Sequence, residues 1–160
     1  MNFFKKNYLN FLLVICLIVL FIAFYIEYVL GHLPCNLCLI ERIPYMVTIL
    51  IILFTFKFKD YKKKIYLLIF FLFFISTLIS LYHLGIEQEI FSESLFCNSN
   101  DQGRSLSKEE ILKQLKELPI SCKNVTFKLF DLSLTTYNIL LSLIIFLTSI
   151  KMYQNYGKNR

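Results

Sequence analysis

The stretch IYLLIFFLFFISTLISLYHLGI, from Ile65 to Ile86, runs for 22 residues without a formal charge, and His83 is its one group that titrates near neutral pH. Coiled as an α-helix at 1.5 Å per residue it is about 33 Å long, enough to cross a hydrocarbon core of about 30 Å. Three more charge-free runs flank it: Tyr8 to Ile26 with 19 residues, Ile43 to Phe56 with 14, and Leu132 to Ile150 with 19. The run of 14 residues rises only about 21 Å, so a spanning helix must also take in Leu33 to Ile40, across Glu41 and Arg42. An Arg at the bilayer centre costs about 2.5–3.5 kcal/mol on insertion scales, and less near an interface. Arg42 is therefore a functional candidate by position. The expected fold is an all-α integral membrane protein, a single domain over residues 1–160. It is a bundle of four transmembrane helices at about 8–28, 36–56, 65–86 and 132–150, with a long outward loop at 87–131.

Composition agrees. Of the 160 residues 57% are apolar and 18% charged, whereas soluble domains sit near 45–50% and about 25%. An ordinary soluble enzyme is excluded. Lys5 and Lys6 before the first run could mark a signal peptide, but the run is long for one, and the sole Ala, Ala23, offers no A-x-A cleavage site. The first run is expected to be a retained helix.

Orientation follows from Lys and Arg in the short connections. The N-terminal segment, the Lys57 to Lys64 connection and the tail from Lys151 together hold 10 basic residues and one acid, Asp60. These segments, and so both termini, are expected on the cytoplasmic side. The loop from Glu87 to Asp131 holds six basic and eight acidic residues. The net charge of +6 is thus a matter of topology, and no nucleic acid is expected as a partner.

The five cysteines sort by the same topology. Cys35 and Cys38 fall in the first outward connection, Cys97 and Cys122 in the long outward loop, and Cys16 alone inside a span. Disulfides persist outside the cytoplasm, so the outward four read as redox or structural bridges. Cys35-Asn36-Leu37-Cys38 could be half of a zinc site, but no His follows at ligand spacing, and Leu39 excludes a C-x-x-C-H haem attachment. No metal is expected. Pro34 precedes the pair where the second helix starts, and unpaired amides at a helix N-terminus favour a thiolate. Arg42, four residues past Cys38, lies on the same face one turn deeper. Cys16 is expected to be a small buried hydrophobe. His83, near the outer end of the third run, could be functional or simply interfacial.

The long loop carries a short amphipathic helix by its pattern. Ser107-Lys108-Glu109-Glu110 is a capping box, with Leu106 and Ile111 placed as a hydrophobic staple. Ile111, Leu112, Leu115 and Leu118 form one apolar stripe, closed by Pro119. It could pack on the other helices or lie flat on the outer leaflet. Asn124-Val125-Thr126 fits a glycosylation acceptor, a common accidental match.

The segment Pro34-Cys35-Asn36-Leu37-Cys38-Leu39-Ile40-Glu41-Arg42-Ile43-Pro44-Tyr45 resembles the P-C-x-L-C-x-x-[EQ]-R motif of the DsbB family of bacterial disulfide bond formation proteins. Tyr82-His83-Leu84-Gly85-Ile86-Glu87, the Cys97 and Cys122 pair, and Leu129-Phe130-Asp131-Leu132-Ser133 follow in the family's order. Asp131 stands where Gly is frequent, and Tyr137 where Trp is common.

The resemblance implies an inner-membrane enzyme whose long loop is periplasmic, with disulfides Cys35–Cys38 and Cys97–Cys122. A periplasmic thioredoxin-fold oxidase of the DsbA type would attack the second, forming a mixed disulfide with Cys97. Electrons would pass to Cys35–Cys38 and then from Cys38 to a quinone of the membrane pool, ubiquinone ahead of menaquinone. Arg42 and His83 would join Cys38 in holding that quinone. A DsbA-type partner near −120 mV cannot be oxidised by ordinary structural disulfides below about −300 mV, since the step is uphill by roughly 8 kcal/mol, and a strong terminal acceptor is needed. A vitamin K epoxide reductase-like protein is the alternative enzyme, although its C-x-x-C usually follows the loop pair instead of preceding it. A membrane assembly factor with stapled loops is the alternative without catalysis.

Overall fold

The computed structural model describes residues 2–57, 62–92, 97, 122, 128–129 and 132–158. Within them lie four long helices: α1 Asn2–Tyr28, α2 Asn36–Lys57, α3 Lys62–Glu87 and α4 Leu134–Lys158. Each contains a window long and apolar enough to cross a membrane, Asn7–Tyr28, Asn36–Thr55, Lys63–Glu87 and Leu134–Asn155. α2 does reach back past Glu41 and Arg42 to Asn36, which brings its apolar span to 20 residues. α3 packs most extensively on α4, and α2 bridges α1 to α3.

The helix ends do not coincide with the charge-free runs: α1 begins at Asn2 instead of 8, α4 runs on to Lys158 instead of 150, and the starts of α3 and α4 are displaced for local physical reasons. α3 starts at Lys62 instead of 65 because lysines end a charge-free run without ending backbone hydrogen bonding, and their stems can reach the interface. The fourth helix starts at Leu134 instead of 132, because Leu132–Ser133 (β2) pairs antiparallel with Lys128–Leu129 (β1). Ser133 then acts as the N-cap, its Oγ accepting from the Thr136 amide at 3.4 Å. The amphipathic helix expected over 107–118 and the Asn124 acceptor match lie outside the described residues.

The distribution of polarity suits lipid. Phe21 and Phe54 are 71% and 70% exposed, while Thr48, Ser80, Ser142 and Ser149 are fully buried. Helices in a bilayer gain little from hiding apolar surface, so small and hydrogen-bonding residues collect between them instead. Tyr8 on α1 bonds Thr148 and Ser149 on α4 at 3.0 and 2.9 Å, and Thr77 on α3 donates to Ser142 on α4 at 3.1 Å. Pro44 inside α2 is tolerated in this setting. Cys16 is wholly buried in the apolar core near Leu12, Leu20 and Tyr45, as its sequence setting implied.

Two turns set the end of the bundle where the cysteines gather. Gly31 adopts φ +74°, which costs an L side chain but not Gly, and the chain turns there from α1 toward Pro34 and Cys35. After α3 the chain folds back so closely that Phe91 occupies the space a Cβ on Gly85 would need, and its ring stacks on Tyr82.

Candidate active site

Cys35 sits immediately before α2, in the N-cap position. Its carbonyl accepts the first helical bond, from the Leu39 amide at 3.2 Å, and its sulfur accepts from the Cys38 amide at 3.2 Å. A sulfur here takes the role a Ser oxygen usually plays, satisfying an otherwise orphan N–H. Cys38 rises from the first turn and brings its sulfur 2.7 Å from that of Cys35. The two are free thiols in close apposition. The hydrogen bond shared with Cys38 and the bond to His83 outweigh burial and hold the Cys35 thiol well below its ordinary value. A thiolate absorbance titration of the reduced protein is therefore expected to show one cysteine ionising well below the ordinary thiol range. A midpoint near 8.5, the ordinary thiol value, would show that the N-cap and His83 do not act on Cys35.

His83 stands behind Cys35. It is 1% exposed, with Nε2 3.5 Å from the Cys35 sulfur and Nδ1 2.9 Å from Oε1 of Glu41. Thr135 Oγ1 lies 3.3 Å from Nδ1 and donates its own proton to Oε1 of Glu87 at 2.5 Å. Glu41 also accepts at Oε2 from Nδ2 of Asn138, at 3.1 Å. Asn138 in turn donates to Ser80 at 2.7 Å and accepts from the Tyr45 hydroxyl at 2.5 Å. Buried carboxylates are costly unless their oxygens are bonded, and this network across α2, α3 and α4 bonds them.

Arg42, the next residue after Glu41, points elsewhere because adjacent helical residues diverge by about 100°. Its Nη1 donates to Oε2 of Glu27 on α1 at 2.5 Å, and its guanidinium carbon lies 5.3 Å from the Phe24 ring centroid. The pair satisfies two charges near one end of the membrane span, where unpaired charges are disfavoured. Glu27, Glu41, Glu87, Thr135 and Asn138 were not singled out by the sequence reading. A charge count could have suggested Glu27, since Arg42 is the one lysine or arginine between Lys6 and Lys57, and Glu27 and Glu41 are the only acids there. Asn138 carries no such signal, because it meets Glu41 across 97 residues.

The second pair arrives from the long loop. Cys97 and Cys122 form a disulfide with Cα atoms 5.7 Å apart, and both residues are buried. They pack against Cys35, Leu37 and Ile86 in one cluster. The sulfurs of Cys35 and Cys122 and a ring nitrogen of His83 all lie within 4.8 Å of one another. Such a trio has metal-binding composition, but a sulfur already bonded in a disulfide is a poor ligand. Two cysteine pairs this close have the arrangement of thiol–disulfide exchange.

A family model described as "Disulfide bond formation protein DsbB" matches residues 5–152. An uncharacterized protein, RP370, of Rickettsia prowazekii (strain Madrid E) is 34% identical over 165 residues, covering 98% of this chain and 96% of that protein. No solved structure matches the chain.

Proposed function

Since the chain belongs to the DsbB family of disulfide bond formation proteins, and is thus a multi-pass membrane disulfide oxidoreductase, we propose that it is an inner-membrane thiol:quinone oxidoreductase that reoxidises a periplasmic thioredoxin-fold oxidase of the DsbA type. The supporting observation is the placement of the Cys122 sulfur within 4.8 Å of the Cys35 sulfur, itself 2.7 Å from Cys38. Both termini face the cytoplasm in this reading, and the cysteine end faces the periplasm.

Reduced partner attacks Cys97–Cys122 and forms a mixed disulfide at Cys97, and the pair leaves the encounter as a dithiol. Cys122 then attacks Cys35 of the oxidised inner pair, and Cys38 departs with the electrons. The first-turn amides of α2 stabilise negative charge on either sulfur of that pair.

The residues around Arg42 fit a quinone. The guanidinium fork has donors beyond the Nη1 that Glu27 engages, and it is the group of choice for holding a polar oxygen at an apolar boundary. Leu39, Ile43 and Met46 on α2 are all more than 40% exposed, which leaves an apolar approach for a lipid-soluble ring. The quinone supplies a two-electron, two-proton acceptor, with ubiquinone favoured over menaquinone. Cys38 hands over the electrons, and Arg42 binds and orients the head group. His83 belongs behind Cys35 here, since a bond to a quinone would require a ring nitrogen now turned to Cys35 or Glu41.

Purified protein in lipid nanodiscs, supplied with a reduced DsbA-type oxidase and ubiquinone, is expected to lose two thiols for every quinone reduced. Thiol oxidation that proceeds equally without quinone, or no oxidation at all, would refute this reading.

A further inference from the structure

Electron transfer between the two pairs is also a proton problem, because the attacking cysteine must shed a proton in a buried site. The hydrogen bonds around His83 fix which nitrogen can take it. Both atoms facing Nδ1 are acceptors: the Glu41 carboxylate at 2.9 Å, and the Thr135 oxygen at 3.3 Å, whose own hydrogen is directed to Glu87. While Cys35 is held in the inner disulfide and no thiolate faces the ring, Nδ1 therefore carries the hydrogen of a neutral ring, and Nε2 presents its lone pair on the side of Cys35. We propose that His83, through Nε2, is the proton acceptor for exchange between the cysteine pairs, and that Asn138 on α4 is a positioning residue that holds Glu41 for it.

This rests on the reading above, in which electrons pass from the outer pair to the inner one. As Cys122 attacks, its sulfur bonds that of Cys35, the Cys35–Cys38 bond breaks, and the electron pair leaves on Cys38. The Cys122 proton passes to Nε2, and Glu41 faces the resulting imidazolium. In the second exchange Cys97, as a thiolate, bonds Cys122, and Cys35 leaves with the electron pair against that imidazolium. The proton Cys97 has released to water is matched by one that Cys38 takes up. The titratable groups facing His83 are Cys35 and Glu41 from α2 and its cap, Cys122 from the loop, and Glu87 at 3.8 Å from its own helix. α4 contributes Thr135 directly, and Asn138 through Glu41. The Tyr45 and Ser80 bonds fix the Asn138 amide, so Glu41 is held from two sides.

The test follows exchange in nanodisc protein mixed with reduced DsbA-type oxidase, quenched by alkylation, with the redox state of each pair read by peptide mass between pH 6 and 8. General acid–base catalysis contributes about 100-fold or more, so His83→Ala is expected to slow the reduction of Cys35–Cys38 by about that factor. Its rate should also climb about tenfold per pH unit, as for a thiol of ordinary value near 8.5 ionising to water, while the wild type varies less. Asn138→Ala touches no sulfur and should move the profile the same way by a smaller amount. It also covers the case in which His83→Ala does not fold. A purely structural role would lower the rate equally at every pH. Exchange in His83→Ala within twofold of wild type, or variant profiles with the wild-type slope, would overturn the proposal. Wild-type protein that reduces no ubiquinone with this donor would instead refute the functional reading on which it rests.

Discussion

Cys38→Ser protein is expected to reduce no quinone while still forming a mixed disulfide between Cys97 and a reduced DsbA-type oxidase. The separation follows from where the two sulfurs sit. Cys97 is bonded to Cys122 in the loop cluster, and replacing Cys38 alters neither. Cys35 without Cys38 keeps its helix-capping amide and its His83 contact but loses the sulfur 2.7 Å away. With no partner thiol, the inner pair cannot cycle between dithiol and disulfide, so turnover stops altogether. Quinone absorbance after mixing with reduced partner measures this loss, and a non-reducing gel measures the trapped complex. Quinone reduction at even a tenth of the wild-type rate would remove Cys38 from the route.

Arg42→Ala should raise the quinone concentration needed for half-maximal turnover by about 10- to 100-fold, as expected for losing charge-assisted hydrogen bonds of about 1.5–3 kcal/mol. The same change leaves the Glu27 carboxylate, 15% exposed, without its cation. A truncated pair leaves an uncompensated charge, so some loss of stability should accompany the functional defect. Arg42→Ala combined with Glu27→Gln separates the two effects. It should recover thermal stability without recovering quinone use. Unchanged quinone dependence in the single variant would place the head group elsewhere.

The fold was legible because membrane insertion reduces the problem to counting. Charge-free length located the spans, and the shortfall over Ile43 to Phe56 required α2 to extend past Arg42. What lay beyond counting was local. The β1–β2 pairing that delays α4 involves two residues per strand, too few for a periodic signal. At the site, the N-terminal position of Cys35 followed from Pro34 and the start of the hydrophobic helix. The division of labour between Glu41 and Arg42 did not, since it depends on which helix each residue faces. Thr135 and Asn138 read as ordinary polar residues of a fourth span. Only the packing of α4 on α3 gives them a shared partner network with Glu41, His83 and Glu87.

The hand-off between the pairs can be tested without any partner or quinone. In a Cys97→Ser, Cys38→Ser double variant the sulfurs left at the site belong to Cys35 and Cys122, placed within 4.8 Å of each other. Mild oxidation followed by peptide mass mapping is expected to show a Cys35–Cys122 disulfide within one chain. Both cysteines remaining free, or bridging only between chains, would contradict direct transfer from the loop pair to the helix pair.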